Sequence, residues 1–363
     1  MSGSEPASTG VELARHREAI DALDREILAR LNERARHAQQ IGHLKGGVVA
    51  YRPEREAQVL TRLAKENTGP LTNEAITGVF REVMSACLAL EQPLRVAYLG
   101  PAGTFSHAAV TRHFGSFVAA APFPTIDDIF RAADGGQTDF AVVPVENSTE
   151  GAVGRTLDLM CTTDLSICGE IKMRIQQNLL SNAASIAAVT KVYSHGQSLG
   201  QCVQWLARHL PGVPRIAVAS NAEAARIAAN EAGAAAIAGE NAGAIYGLAT
   251  LAPHIEDEPN NTTRFWVVGR QNIAPSGRDE TSIVMSCPNR PGAVYELLEP
   301  LARHGVSMSR FESRPARTGL WEYLFFVDLV GHRDDAPVAA ALRELGSKAP
   351  FLKLLGSYPS AVD

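Results

Sequence analysis

Apolar positions Leu13, Ile20, Leu23, Ile27 and Leu31 recur at three- and four-residue spacing, which lines them along one stripe of a helix. No proline or glycine interrupts the chain from Val11 to Ile41. The pattern predicts one helix of about 35 residues, roughly 50 Å long at 1.5 Å per residue. A stripe of that length exceeds what a segment of about 80 residues covers by itself, so it predicts an intertwined dimer. Gly46-Gly47 ends this helix and Arg52-Pro53 opens a second, to about Glu66. Thr68-Gly69-Pro70 breaks the second, Leu71-Thr72-Asn73-Glu74 caps a third to about Glu91, and Gln92-Pro93 closes the segment. The polar first ten residues are expected to be disordered.

The texture changes at Leu94. Short apolar runs suited to buried strands begin at Arg95, Phe140, Leu165, Lys191, Arg215, Ala234 and Phe265, with helical patterns between them, as at Gly200 to His209 and Asn221 to Glu231. This alternation predicts an α/β domain with mainly parallel strands. Residues Gln271 to Asp279, with Pro275, Ser276 and Gly277, read as a linker. After it, strand, helix, two strands, helix and strand follow over about 78 residues, the βαββαβ order of a ferredoxin-like unit. The expected division is multidomain: 11–92 all-α, 95–270 α/β and 280–358 α+β.

The 363 residues are 45% hydrophobic and 20% charged, with a net charge of −5. That balance gives no electrostatic case for nucleic acid or membrane binding. No run of about 18 apolar residues occurs and the N-terminus lacks an apolar core segment, so a cytoplasmic protein is expected. The five cysteines are scattered without a Cys-x-x-Cys pair, which implies neither a disulfide framework nor a metal site. No cofactor is expected.

Candidate chemistry begins on the first helix. Arg34 lies on the apolar stripe, seven residues from Ile27 and from Ile41, where a cation needs a partner. Lys45 is eleven residues on, within about 20° of the same direction. Arg17 lies about 100° away around the axis and can reach a partner chain's cavity rather than that one. With Arg55-Glu56 on the second helix, this cation pattern resembles the all-helical chorismate mutase family over about residues 10–92. The resemblance implies a dianionic substrate, chorismate, rearranged by positioned cations and hydrogen-bond donors, with Arg17 coming from the other subunit. Arg34, Lys45 and Glu91 are the candidate catalytic groups, and Arg17, Arg52, Arg55, Glu56 and Cys87 the candidate substrate contacts. Arg52, Cys87 and Glu91 depart from the commonest family pattern. Glu91 is expected to act protonated, because a carboxylate there repels the charge developing on the ether oxygen.

The central domain carries Asn260-Asn261-Thr262-Thr263-Arg264-Phe265, a polar loop delivering a hydroxyl to the start of an apolar strand. Gly100-Pro101-Ala102-Gly103-Thr104-Phe105-Ser106 follows the first strand, and its glycines allow backbone amides to approach an anion. Asn147-Ser148 and His195-Gly196-Gln197 end two further strands. Loops at the carboxyl ends of strands converge on ligand sites in open α/β sheets. The combination resembles the prephenate dehydratase family over about residues 95–270. That implies two α/β lobes like those of periplasmic binding proteins, and conversion of prephenate to phenylpyruvate, carbon dioxide and water. Thr263 is the candidate donor to the leaving hydroxyl. Thr104, Ser106, Asn147, Ser148, Gln197 and Arg264 are candidate substrate contacts. In a regular strand Arg264 points opposite to Thr263, so it is structural unless a local twist turns it inward. His195 fits a loop histidine as well as an acid.

In the C-terminal segment, Gly292-Ala293-Val294 and Glu312-Ser313-Arg314-Pro315 sit within the βαββαβ order and resemble an ACT regulatory domain. The implied allosteric ligand is phenylalanine, bound between paired domains of a homodimer or higher homo-oligomer. A purely structural dimerisation module remains the alternative for this segment. For the whole chain, the alternatives are a monofunctional dehydratase with a dimerising helical segment and a non-catalytic amino-acid sensor. A dehydrogenase is disfavoured, since no Gly-x-Gly-x-x-Gly joins a strand to a helix.

Overall fold

The computed structural model describes residues 6–44, 51–90, 93–287, 290–315 and 323–361. Three helices come first: α1 Pro6–Leu44, α2 Pro53–Glu66 and α3 Asn73–Ala89. Proline fits the first turn of α2, where its missing N–H has no helical partner anyway. The Thr72 hydroxyl caps α3 by accepting from the Ala75 amide at 3.2 Å. The expected disorder of the first ten residues is corrected for Pro6–Gly10, which join α1: Pro6 at the first helical position has its φ set in advance. Leu13, Ile20, Leu23, Ile27, Leu28 and Ile41 remain exposed along α1 in the single chain.

The first lobe of the central domain contains β1 Arg95–Leu99, α4 Phe105–Phe114, β2 Ala119–Phe123, α5 Ile126–Asp134, β3 Phe140–Asn147, β4 Gly151–Ala152, α6 Gly154–Thr162 and β5 Ser166–Arg174. The chain then enters a second lobe: β6 Asn178–Ser181, β7 Lys191–His195, α7 Gly196–Gly200, α8 Val203–His209, β8 Arg215–Val218, α9 Asn221–Asn230, β9 Ala234–Ala238, α10 Glu240–Tyr246 and β10 Ala249–Ala252. It returns to the first lobe as β11 Thr262–Gly269. The sheets order as β2-β1-β3-β11-β5, with β4 beside β3, and β10-β6-β9-β7-β8.

The expectation of mainly parallel strands is corrected. Parallel pairs join β2-β1-β3 and β9-β7-β8, but β11 is antiparallel to both β3 and β5, and β6 is antiparallel to β9 and β10. The cause is the double crossing. The chain leaves one lobe through β5 and re-enters through β11, so these two strands run in opposite senses side by side.

The C-terminal domain has β12 Asp279–Cys287, α11 Ala293–Arg303, β13 Met308–Pro315, β14 Tyr323–Val330, α12 Ala336–Lys348 and β15 Leu352–Pro359, in a sheet ordered β13-β14-β12-β15. Both helices cover one face, burying Ile283, Met285, Leu297, Leu301, Val327 and Leu345. The other face does not meet solvent. Val284, Phe326, Leu355 and Tyr358 pack into one core with Ile167, Trp266 and Val268 of the central sheet, as two sheets do face to face. At Gly356 the two backbones touch, and an added Cβ would lie 2.7 Å from the Ile167 amide nitrogen.

Gly356→Ala is expected to force the two sheets apart and to destabilise the protein by about 1–3 kcal/mol, the usual cost of overpacking a filled core. A melting temperature equal to wild type would refute this.

Candidate active sites

Because β11 runs against β3, its first residues lie beside the last residues of β3. Thr263 pairs with Asn147 and Arg264 with Glu146. The polar start of β11 is thereby brought to the carboxyl end of the parallel strands. Asn147 Oδ1 accepts from the Thr149 amide (3.0 Å), the Thr149 hydroxyl (2.6 Å) and the Glu150 amide (3.2 Å). Three donors on that oxygen assign the amide orientation. Its Nδ2 therefore donates to Thr263 Oγ1 at 2.9 Å and to Asn261 Oδ1 at 2.8 Å. Thr263 Oγ1 is an acceptor in this contact, so its own proton is directed to another group. Ser148 sits alongside, its Oγ accepting from the Thr262 amide at 3.0 Å.

The remaining loop residues divide. Thr104 is committed to its own turn: its hydroxyl donates to the Leu99 carbonyl at 2.9 Å and accepts from the His107 amide at 3.3 Å. The amides of Gly100, Gly103 and Thr104 donate to the Phe123 carbonyl, His107 Nδ1 and the Pro101 carbonyl. These three donors of the loop are therefore spent internally. Ser106 is buried in the first turn of α4. His195 caps α7, its Nδ1 accepting from the Gln197 amide at 3.4 Å, and the Gln197 side chain is exposed. Across the lobes, Gln201 Nε2 donates to the Thr149 hydroxyl at 3.4 Å. Ser198 Oγ accepts from Gln177 Nε2 (3.0 Å) and Asn221 Nδ2 (2.9 Å). The sequence pattern missed Gln177, Gln201, Asn221 and Asn261. Only Asn261 carried a local signal, two residues before Thr263.

Arg264 is not in the cleft, which corrects its reading as a substrate contact. It alternates to the face opposite Thr263 and is buried against the C-terminal domain. Its guanidinium bonds Asp328 at 2.5 Å, Glu170 at 2.6 Å and the Tyr358 hydroxyl at 3.2 Å. Glu280 lies 3.5 Å away, and Lys172 bonds Glu170 at 2.8 Å. Three carboxyl groups thus meet two cations. Burial pushes the Glu280 carboxyl up to about 7, with the adjacent Glu170 adding to the effect and Arg264 opposing it.

In the helical domain, Arg34 Nη1 donates to Cys87 Sγ at 3.0 Å, joining α1 to α3. Glu56 faces Arg81 at 3.5 Å, and burial pushes its carboxyl up to about 7 against the pull of Arg81. Arg52 is half-buried, and Arg17 and Arg55 are exposed. Arg17 lies about 25 Å along α1 from Arg34, seventeen residues at 1.5 Å each. Lys45 and Glu91 fall outside the described residues. This domain meets the central one through Tyr51, whose hydroxyl bonds His113 Nε2 at 3.0 Å. Burial, assisted by Arg81, pushes His113 down to about 3, so that ring is neutral.

On the C-terminal edge strand β13, faces alternate. Phe311, Ser313 and Pro315 are exposed, whereas Arg310, Glu312 and Arg314 face the central domain. Arg310 pairs with Glu146 at 2.7 Å and with Glu312. Arg314 bonds the Gly154 carbonyl at 2.5 Å and Asp158 at 3.3 Å. Gly292 takes φ +79° before α11, Ala293 is buried and Val294 is exposed. Sheet register brings Cys287 and Pro315 to the same end, each opposite Tyr323.

Family models match residues 16–92 (chorismate mutase type II), 96–273 (prephenate dehydratase) and 281–347 (ACT domain). A bifunctional chorismate mutase/prephenate dehydratase from Neisseria gonorrhoeae is 55% identical over 96% of this chain and 97% of its own length. The chain belongs to the bifunctional chorismate mutase/prephenate dehydratase family. A relative of that description from Pseudomonas aeruginosa is 49% identical over 94% of this chain and 96% of its own. Among solved structures, a prephenate dehydratase in complex with L-Phe from Arthrobacter aurescens matches at TM-score 0.67 and 34% identity, covering 73% of this chain and 90% of that one. The chain is thus a two-activity enzyme with an ACT regulatory domain, and the monofunctional and sensor alternatives are set aside. No helix among the described residues is long and apolar enough to cross a membrane.

The Glu280 carboxyl yields a pH test. A folded-state value of about 7 against an ordinary 4.5 means that the folded chain binds this proton more tightly than the unfolded one. The native state therefore loses ground as pH rises from 4.5 to about 7, and the loss is complete above that. Glu280→Gln removes it. The melting temperature of the variant, relative to wild type, should rise from pH 5 to a plateau above pH 7, by the equivalent of roughly 2–3 kcal/mol. A difference independent of pH would exclude the assignment.

Proposed function

We propose that Thr263 is the hydrogen-bond donor to the ring hydroxyl that departs as prephenate becomes phenylpyruvate. The Asn147 contact to Thr263 Oγ1 carries this reading, because it occupies the acceptor side of the hydroxyl and leaves the proton for substrate. Loss of carboxylate and hydroxide restores aromaticity and supplies the driving force. The enzyme need only hold the dianion and stabilise the leaving oxygen. A threonine hydroxyl is a weak acid, so it donates a hydrogen bond in the transition state rather than a full proton. Ser148, Ser106 and Gln197 are our candidate substrate contacts on either side of the cleft, and Asn147, whose amide is committed, orients Thr263.

For the mutase we infer a site at the Arg34–Cys87 contact, with Lys45, Arg52, Arg55, Glu56 and Glu91 as its further candidate residues and Arg17 supplied by a second subunit. The distance of Arg17 from Arg34 and the uncovered apolar stripe of α1 support a homodimer. We infer phenylalanine as the allosteric ligand, with the Gly292–Val294 turn and the exposed Ser313 and Pro315 at one end of the ACT sheet as its contacts. The relative from Arthrobacter aurescens holds that amino acid. Segments 11–92, 95–270 and 280–358 are our working domains, and the free thiols suit a reducing cytoplasm.

Thr263→Ala should lower dehydratase kcat by about 10²–10⁴-fold, the range for a lost proton donor, with the mutase rate unchanged. A dehydration rate near wild type removes Thr263 from this role. Ile27→Glu on the α1 stripe should yield monomers in sedimentation and abolish mutase turnover. An active monomer would contradict the shared site.

A further inference from the structure

The two sheets meet through a two-by-two arrangement of charge. On the dehydratase sheet, Arg264 and Glu146 are cross-strand partners. On the ACT sheet, Asp328 and Arg310 are cross-strand partners. Arg264 bonds Asp328 at 2.5 Å and Arg310 pairs with Glu146 at 2.7 Å. Each cation thus meets the carboxylate of the opposite domain. One residue along each dehydratase strand lie the two groups that contact each other on the cleft side, Thr263 beside Arg264 and Asn147 beside Glu146.

We propose that Asp328 and Arg310 of the ACT domain are positioning residues for dehydration, acting through Arg264 and Glu146 on Thr263 and Asn147. Consecutive residues of a strand share a rigid peptide unit and point to opposite faces. A shift of the Arg264 anchor therefore moves the Thr263 hydroxyl, and a shift of Glu146 moves the amide that orients it. Arg264 is buried and cannot trade its partner for water. Ser282 Oγ donates to the free oxygen of Asp328 at 2.5 Å and meets the Tyr358 hydroxyl at 2.7 Å, which holds the ACT side of the contact still. Glu312, in the motif assigned to regulation, shares Arg310. A ligand that draws Glu312 away alters the link to Glu146. A displacement of about 1 Å at reacting groups is enough to cost about 10²-fold in rate.

The inference rests on Thr263 as the donor, and Thr263→Ala in the same assays tests that reading separately. If Thr263→Ala dehydrates normally, the donor assignment fails whatever Asp328 does. In the full-length enzyme, Asp328→Asn and Arg310→Gln should each lower dehydratase kcat at least tenfold. The KM for prephenate and the mutase rate should stay within twofold of wild type. A kcat within twofold of wild type in both variants overturns the proposal. If either single variant also loses mutase activity, and so fails to fold, Arg264→Met with Asp328→Leu decides. That pair removes both charges while keeping the volume filled, a change that buried ion pairs tolerate. Intact mutase with dehydration still down tenfold upholds the positioning role. Full dehydration with both charges gone shows that the pair served only to pack the sheets.

Discussion

A buried guanidinium has to be matched, and the architecture of this enzyme turns on that requirement at Arg264. Leaving one partner of a buried ion pair alone costs about 3–5 kcal/mol, more than most single contacts contribute. The carboxylates that match Arg264 come from two domains: Glu170 from the dehydratase sheet, Asp328 and Glu280 from the ACT sheet. The ACT sheet therefore docks face-on against the catalytic sheet. Its apolar residues Val284, Phe326 and Leu355 complete a core that the dehydratase domain begins with Ile167 and Trp266. Regulation and catalysis share a packed interior, which transmits displacement because it is dense and has little room to absorb it.

The same strand serves both sides of that interior. β11 carries Thr263 toward the cleft and Arg264 toward the ACT domain, so one alternating pair separates the proposed donor from its support. The double crossing between lobes makes this possible. It sets β11 antiparallel beside β3, placing the start of one strand against the end of the other. Had β11 been a further parallel strand, Thr263 would lie at the far end of the sheet from Asn147.

The helical domain is joined differently. Tyr51 and His113 meet through a neutral hydrogen bond, and Ser116 bonds Glu82 through both its amide and its hydroxyl. These contacts set α3 against α4, while α2 packs against β15 of the ACT sheet. They leave the long apolar stripe of α1 uncovered.

Much was legible in the residues. The period of Leu13 to Leu31 specified α1, Thr72 marked the start of α3, and the βαββαβ order appeared without help from tertiary contacts. These features are local: helix periodicity, capping and turn chemistry act within a few residues, so sequence alone determines them. The place of Arg34 on the apolar stripe and a Thr263 hydroxyl at a strand start also followed from the residues, whereas Cys87 entered only through the family resemblance. What the sequence left open depended on which strand lies beside which. The mixed sheets, the use of Glu312 and Arg314 at the domain junction, the spent amides of the Gly100 loop and the buried partners of Arg264 all join residues far apart along the chain. Strand alternation assigns Arg264 to the face opposite Thr263, but leaves open what meets it there. Only the docking of a second sheet onto that face decides that its charge is consumed there, because burial and pairing belong to the packed structure and have no signature in spacing.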